Sequence, residues 1–88
     1  MSAPTWSKAE VYDRLRAVLV GEFGLRAEQL EPDANLVKDL DLDSIDWIDM
    51  AVALEVQMGR ELREAELTSI RTIQDVVDVI YRKLHEDP

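Results

Sequence analysis

The run Asp39-Leu40-Asp41-Leu42-Asp43-Ser44-Ile45-Asp46 passes from turn chemistry to helix chemistry within eight residues. Asp43 and Ser44 both carry side-chain oxygens able to accept the unpaired N–H groups that open a helix. Asp39, Asp41, Asp43, Asp46 and Asp49 put five carboxylates into eleven positions, with no Lys or Arg between them. A helix N-terminus favours negative charge, which explains part of this clustering. It does not explain why the same helix carries more apolar surface than one core face needs.

The helix that begins here is predicted over 44–58, with Gly59 as its stop. At 100° per residue it shows two apolar stripes. One is Trp47, Ala51, Leu54 and Met58, with Met50 at its edge. The other is Ile45, Ile48 and Val52, about a third of a turn away, flanked by Asp46 and Asp49 on one side and Glu55 on the other. The two stripes fit a single wide core face. They fit equally a core stripe beside an exposed apolar patch rimmed by acids, a pattern that marks a partner site.

Upstream, residues 24–43 read as a long connection. Pro32, Asp33 and Asn35 form turns, while Leu30, Leu36, Leu40 and Leu42 pin the segment to the core. Arg26 to Leu30 has room for one short turn. A loop this long in a small domain is often functional. Before it, Ser7 and Glu10 make a capping box, with Trp6 and Val11 as its hydrophobic staple. A first helix is therefore predicted over 8–23, burying Val11, Leu15, Val18 and Leu19, with Gly24 as its C-cap. Downstream, 64–69 holds one short helical turn. Thr72 and Asp75 cap a last helix over 73–85, whose Ile73, Val76, Val77, Ile80, Tyr81 and Leu84 keep helical spacing. Residues 1–6 and 86–88 read as loose ends. The expected fold is all-α: one domain over 1–88, a small four-helix bundle of three main helices and one short one, with a long first loop.

Composition narrows the function classes. The chain has 88 residues, 47% of them apolar, enough for a thin core. Ten Lys and Arg against nineteen Asp and Glu leave a net charge of −9. Nucleic acid and anionic membranes are poor partners for such a surface, and basic protein surfaces suit it. There is no cysteine, hence no disulfide, thiolate metal site or thiol nucleophile. No signal peptide and no membrane-spanning stretch is legible, so a soluble, cytoplasmic monomer is expected.

Ser44 attracts two readings. Spacing alone makes it an N-cap. With Asp46 as a third helical residue, however, Asp43 can take the cap, which leaves the Ser44 hydroxyl pointing outward and open to modification. A hydrolase nucleophile would need a base and an oxyanion hole. The single histidine, His85, lies near the C-terminus, about forty residues away in sequence, and no Gly-x-Ser-x-Gly elbow exists. The aspartates do not form a calcium loop, because neither the glycine at position six nor the glutamate at position twelve is present. No metal site is expected, and the chain is not expected to be an enzyme.

The run Asp39–Asp46, continued by Trp47-Ile48-Asp49-Met50-Ala51-Val52-Ala53-Leu54-Glu55, resembles the acyl carrier proteins, whose hallmark is Asp-Leu-Gly-x-Asp-Ser-Leu at the start of the second of four helices. The similarity extends from the first helix near Ser7 to the last near Leu84. It implies a 4′-phosphopantetheine arm on Ser44, with Asp43 part of the modification motif, and acyl groups held as thioesters. The absent cysteine fits, since the thiol would come with the prosthetic group. The resemblance also makes the second helix the recognition helix, with Ile45, Ile48 and Val52 as apolar contacts and Asp43, Asp46, Asp49 and Glu55 meeting basic residues. The implied partners are a phosphopantetheinyl transferase, then ketosynthase, acyltransferase and other acyl-processing enzymes of fatty-acid, polyketide or related lipid biosynthesis. An acyl cavity between the helices would be lined by Leu36, Val37, Leu54, Leu62, Leu67, Ile70 and Val76.

Several positions depart from the family pattern. Asp41 stands where glycine is usual, which is expected to alter the loop. Ile45 replaces leucine, and Trp47 is large for its place. Leu67 and Val76 stand where smaller residues are common, which restricts the cavity. Arg60 and Arg63 add positive charge after the second helix. These features, with the Asp-Ser-Ile-Asp motif, point toward specialised polyketide, polyene or lipid pathways rather than housekeeping fatty-acid synthesis. The alternatives are an aminoacyl or peptidyl carrier, which tends to be less acidic and often has a Gly-Gly-x-Ser motif, or an unmodified helical adaptor that binds basic proteins.

Overall fold

A computed structural model describes residues 6–85. Four α-helices are present among them: α1 Lys8–Phe23, α2 Ser44–Met58, α3 Glu64–Thr68 and α4 Ile73–Leu84. Each long helix starts with a reciprocal capping box. Ser7 and Glu10 open α1, Asp43 and Asp46 open α2, and Thr72 and Asp75 open α4. In each, a side chain accepts a first-turn N–H while the third helical residue accepts the cap's own N–H, removing two unpaired donors at once. Gly24 and Gly59 close α1 and α2 in the left-handed conformation, at φ 67° and 68°.

Helix α1 lies against both α2 and α4. Its Val11, Leu15, Val18 and Leu19 are buried, facing Met50, Ala51, Leu54 and Met58 of α2 and Ile73, Val76, Val77, Val79, Ile80 and Leu84 of α4 within one core. Met50 is 1% exposed, so it belongs to the centre of the α2 stripe and not its edge. Its flexible thioether fills the space at the helix crossing. Trp6, expected to be loose, is half-buried against the core, and the Arg14 guanidinium lies 4.6 Å from its ring. Residues 1–5 and 86–88, the rest of the expected loose ends, lie outside the described residues.

The long connection holds one 3₁₀ turn, Ala27–Gln29, and is otherwise ordered by buried leucines and backbone pairing. Leu30, Leu36, Leu40 and Leu42 are all buried. The Tyr12 hydroxyl donates to the Leu30 carbonyl. Leu36 N–H donates to Arg71 O, and Ile73 N–H to Ala34 O, around a single bridge between Asn35 and Thr72. Asn35 Oδ1 accepts from Val37 and Lys38, while Asp39 Oδ2 accepts from Asn35 N–H at 2.7 Å. The loop is thus fastened to the start of α4 and delivers the chain to the start of α2.

Asp41 takes φ 55°, the left-handed region that glycine enters freely and aspartate only at a cost. The aspartate therefore keeps a glycine-like turn. Asp41→Gly is expected to raise unfolding stability by about 0.5–1 kcal/mol, and Asp41→Val to lower it by at least about 1 kcal/mol. Urea denaturation of the three proteins reads this directly.

The short α3 is tied to α4 by one ion pair, in which Lys83 Nζ sits 2.9 Å from Glu66 Oε1 with both side chains largely buried. The same oxygen accepts Arg63 N–H. Desolvation pushes the Glu66 carboxyl up, but the Lys83 hydrogen bond, the Arg63 N–H and the charges of Lys83 and Arg63 together hold it below its ordinary value. A lowered folded-state pKa gives stability that is present above the unfolded value and lost as pH falls through the folded one. Glu66→Gln is accordingly expected to destabilise the protein at neutral pH. The deficit should shrink as pH falls below the usual carboxylate range, a trend that paired urea titrations at pH 7 and pH 3 would resolve.

Candidate functional site

The site forms where the fastened loop meets α2. Asp43 Oδ1 accepts from both Ile45 N–H and Asp46 N–H at 3.0 Å, and Asp46 Oδ2 accepts Asp43 N–H at 3.1 Å. With capping complete, Ser44 is the first helical residue. It is exposed, and its hydroxyl finds no hydrogen-bond partner among the described residues. Of the two sequence readings, the cap is Asp43, and Ser44 keeps an outward oxygen.

The second α2 stripe is a surface. Ile45, Ile48 and Val52 are 67%, 58% and 53% exposed. The stripe runs one turn further than the sequence reading gave it, to Val56 at 79%. The i+4 step from Val52 was the available signal. Asp39, Asp41, Asp43 and Asp49 are exposed around its leading end, with Asp46 half-buried. None of these five carboxylates forms an ion pair with a described residue. Besides Asp39 and Asp43, two further acids on the rim carry structural loads. Asp46 closes the capping box, and Glu55 Oε2 accepts Leu62 N–H at 2.7 Å, holding the chain after α2 against the helix.

An open-sided cleft of about 460 Å³ begins at Ser44 and runs between α2 and α3, lined by Trp47, Ile48, Ala51, Val52, Glu55, Leu62, Leu67 and Thr68. Of the seven residues expected around an acyl cavity, Leu62 and Leu67 line it. Val37 and Ile70 line a separate groove of about 310 Å³ on the far side of Trp47. Leu36, Leu54 and Val76 line neither, because they are packed into the core beneath. The resemblance places these residues on the inner side, and helical spacing agrees for Leu54 and Val76. It does not show which of them a neighbouring side chain covers, and here Trp47 lines both grooves. Its Nε1–H is buried without an acceptor among the described residues, an arrangement that costs about 1–3 kcal/mol.

Comparison with known proteins fits this geometry. A family model described as the phosphopantetheine attachment site matches residues 13–80. The chain is 34% identical over 74 residues to acyl carrier protein 2 of Ralstonia nicotianae, spanning 84% of this chain and 91% of that one. It is 30% identical over 78 residues to an acyl carrier protein of Thermosynechococcus vestitus, spanning 89% and 96%. A third, from Coprothermobacter proteolyticus, is 32% identical over 78 residues. The surroundings of Ser44 suit a phosphodiester-linked group, since an unengaged hydroxyl stands on the first turn of a 15-residue helix, at its positive end, with an apolar cleft beginning beside it. When bound, such a group supplies a thiol that this cysteine-free chain lacks. The chain belongs to the phosphopantetheine-attachment family, as a carrier of 4′-phosphopantetheine and not a catalyst.

Proposed function

We propose that Ser44 is the attachment point and that the chain acts as an acyl carrier protein. In this reading it presents acyl groups, held as thioesters, to enzymes of fatty-acid, polyketide or related lipid biosynthesis. The observation that carries the assignment is the division of labour between neighbours: Asp43 satisfies the helix start, so Ser44 is left with an exposed, uncommitted hydroxyl. Asp43 is in this reading a positioning residue of the modification motif.

The α2 surface supports the partner side of the proposal. Ile45, Ile48 and Val52 offer apolar contact, and Asp43, Asp46, Asp49 and Glu55 offer negative charge to a phosphopantetheinyl transferase, ketosynthase or acyltransferase with a basic docking face. Unpaired surface charge speeds encounter more than it tightens the complex, which suits a carrier that must leave each enzyme after one step. The Asp43-Ser44-Ile45-Asp46 motif favours a specialised polyketide, polyene or lipid pathway over the housekeeping one. The protein would act as a cytoplasmic monomer. No described helix is long and apolar enough to cross a membrane.

Incubation with coenzyme A and a promiscuous phosphopantetheinyl transferase should add one phosphopantetheinyl group, read by intact mass. Ser44→Ala should remain unmodified while unfolding at the wild-type temperature. Modification of the Ser44→Ala protein would assign the attachment elsewhere.

Asp49 is exposed and off the core, so Asp49→Lys should leave thermal stability within about 0.5 kcal/mol of wild type. The same change should slow transferase modification roughly ten-fold at low salt, with the gap narrowing as ionic strength rises. An equal loss of stability and rate would remove the separation between docking face and core.

A further inference from the structure

Trp47 and Thr68 appear in the walls of both grooves beside α2. The cleft of about 460 Å³ starts at Ser44 and passes Ile48, Ala51, Val52 and Leu62. The groove of about 310 Å³ continues on the far side toward Val37 and Ile70. Trp47 is half-buried and lines both, and its buried Nε1–H meets no acceptor among the described residues. Ring area, not hydrogen bonding, holds the indole in place. Trp47 is the bulkier of the two residues common to both linings, so side-chain volume at this position of α2 is placed to divide them.

We infer that Trp47 is the length-determining residue for the sheltered part of the cargo. This rests on the reading of Ser44 as the attachment point. An acyl chain attached there meets the cleft at its Ser44 end, because Ser44 is itself part of the lining. With the indole in place, the chain lies along Ile48, Ala51 and Leu62 as far as Leu67, and the path toward Val37 and Ile70 is closed. A chain longer than the cleft stays exposed beyond it, on the side that carries the apolar docking stripe. A smaller residue at position 47 joins the two grooves into one channel leading from Ser44 past Thr68 to Ile70.

Burying further methylenes stabilises the folded form, so the unfolding temperature of the loaded carrier reports how much chain is sheltered. Wild type, Trp47→Ala and Trp47→Leu would each be loaded with butanoyl, octanoyl and tetradecanoyl pantetheine arms by the transferase, with loading verified by intact mass. Each Tm is then compared with that of the same protein carrying the bare arm. In wild type the Tm rise should level off at a shorter acyl chain than in either variant, and both variants should gain at least about 4 °C more than wild type with the longest chain. Trp47→Leu retains an apolar side chain, so it decides the question if Trp47→Ala does not fold. Identical length dependence in all three proteins would overturn the inference, as would the absence of any length dependence in all of them. Failure of the wild-type protein to gain mass would instead refute the Ser44 reading, and the length assignment with it.

Discussion

The reciprocal hydrogen bonds between Asp43 and Asp46 set the conditions for everything at the candidate site. A helix must satisfy its first N–H groups, and the nearest small polar side chain usually does so. Had that been Ser44, its oxygen would be turned back onto the backbone. The cap can fall on Asp43 only because the preceding loop arrives in the right register. That register follows from Leu36, Leu40 and Leu42 being buried together, from the Leu36–Arg71 and Ile73–Ala34 backbone bonds, and from Asp41 accepting a left-handed turn two residues before the cap. A serine with an unengaged hydroxyl is thus the product of some twenty residues of loop that otherwise look irregular.

The surface of α2 shows a second constraint. Four exposed apolar side chains from Ile45 to Val56 on so small a chain invite self-association. Among the described residues the carboxylates around them form no ion pair with Lys or Arg, and the chain carries a net charge of −9. Two copies meeting stripe to stripe would bring like charges together, whereas a basic partner would bring opposite ones. The same carboxylates therefore oppose the wrong encounter and favour the proposed one, and they do so without strong affinity for either.

Features set by local chemistry were legible in the sequence. The capping boxes of α1 and α4 and the two glycine stops follow from neighbouring residues alone, while the sequence left two readings each for the α2 cap and for its second stripe, and the structure has Asp43 as the cap and the stripe exposed. Features set by how helices cross were not legible. Met50 looked peripheral on a helical wheel but sits at the centre of the core. Leu36, Leu54 and Val76 have the inward direction expected of cavity residues, yet other side chains cover them. Val37 was expected among them and is 54% exposed, because the loop turns it away from the core to the edge of the second groove. For the helical residues period determines direction, while side-chain volume and crossing geometry determine what lies in that direction; Leu36 and Val37 sit in the loop, where no period applies.

The cleft has unequal walls. One is α2, capped at both ends and packed along α1. The other is α3, five residues long, which is too short to be helical by its own propensity. What keeps α3 in place is tertiary: the partly buried Leu67 against the core and the Glu66–Lys83 pair to α4. An ion pair of this kind fixes orientation more than it adds stability, because desolvation offsets much of its attraction. On the proposed reading, a chain entering the cleft would displace Leu67 and Thr68 more readily than the α2 residues. The recognition face and Ser44 can stay fixed for a partner while the opposite wall gives.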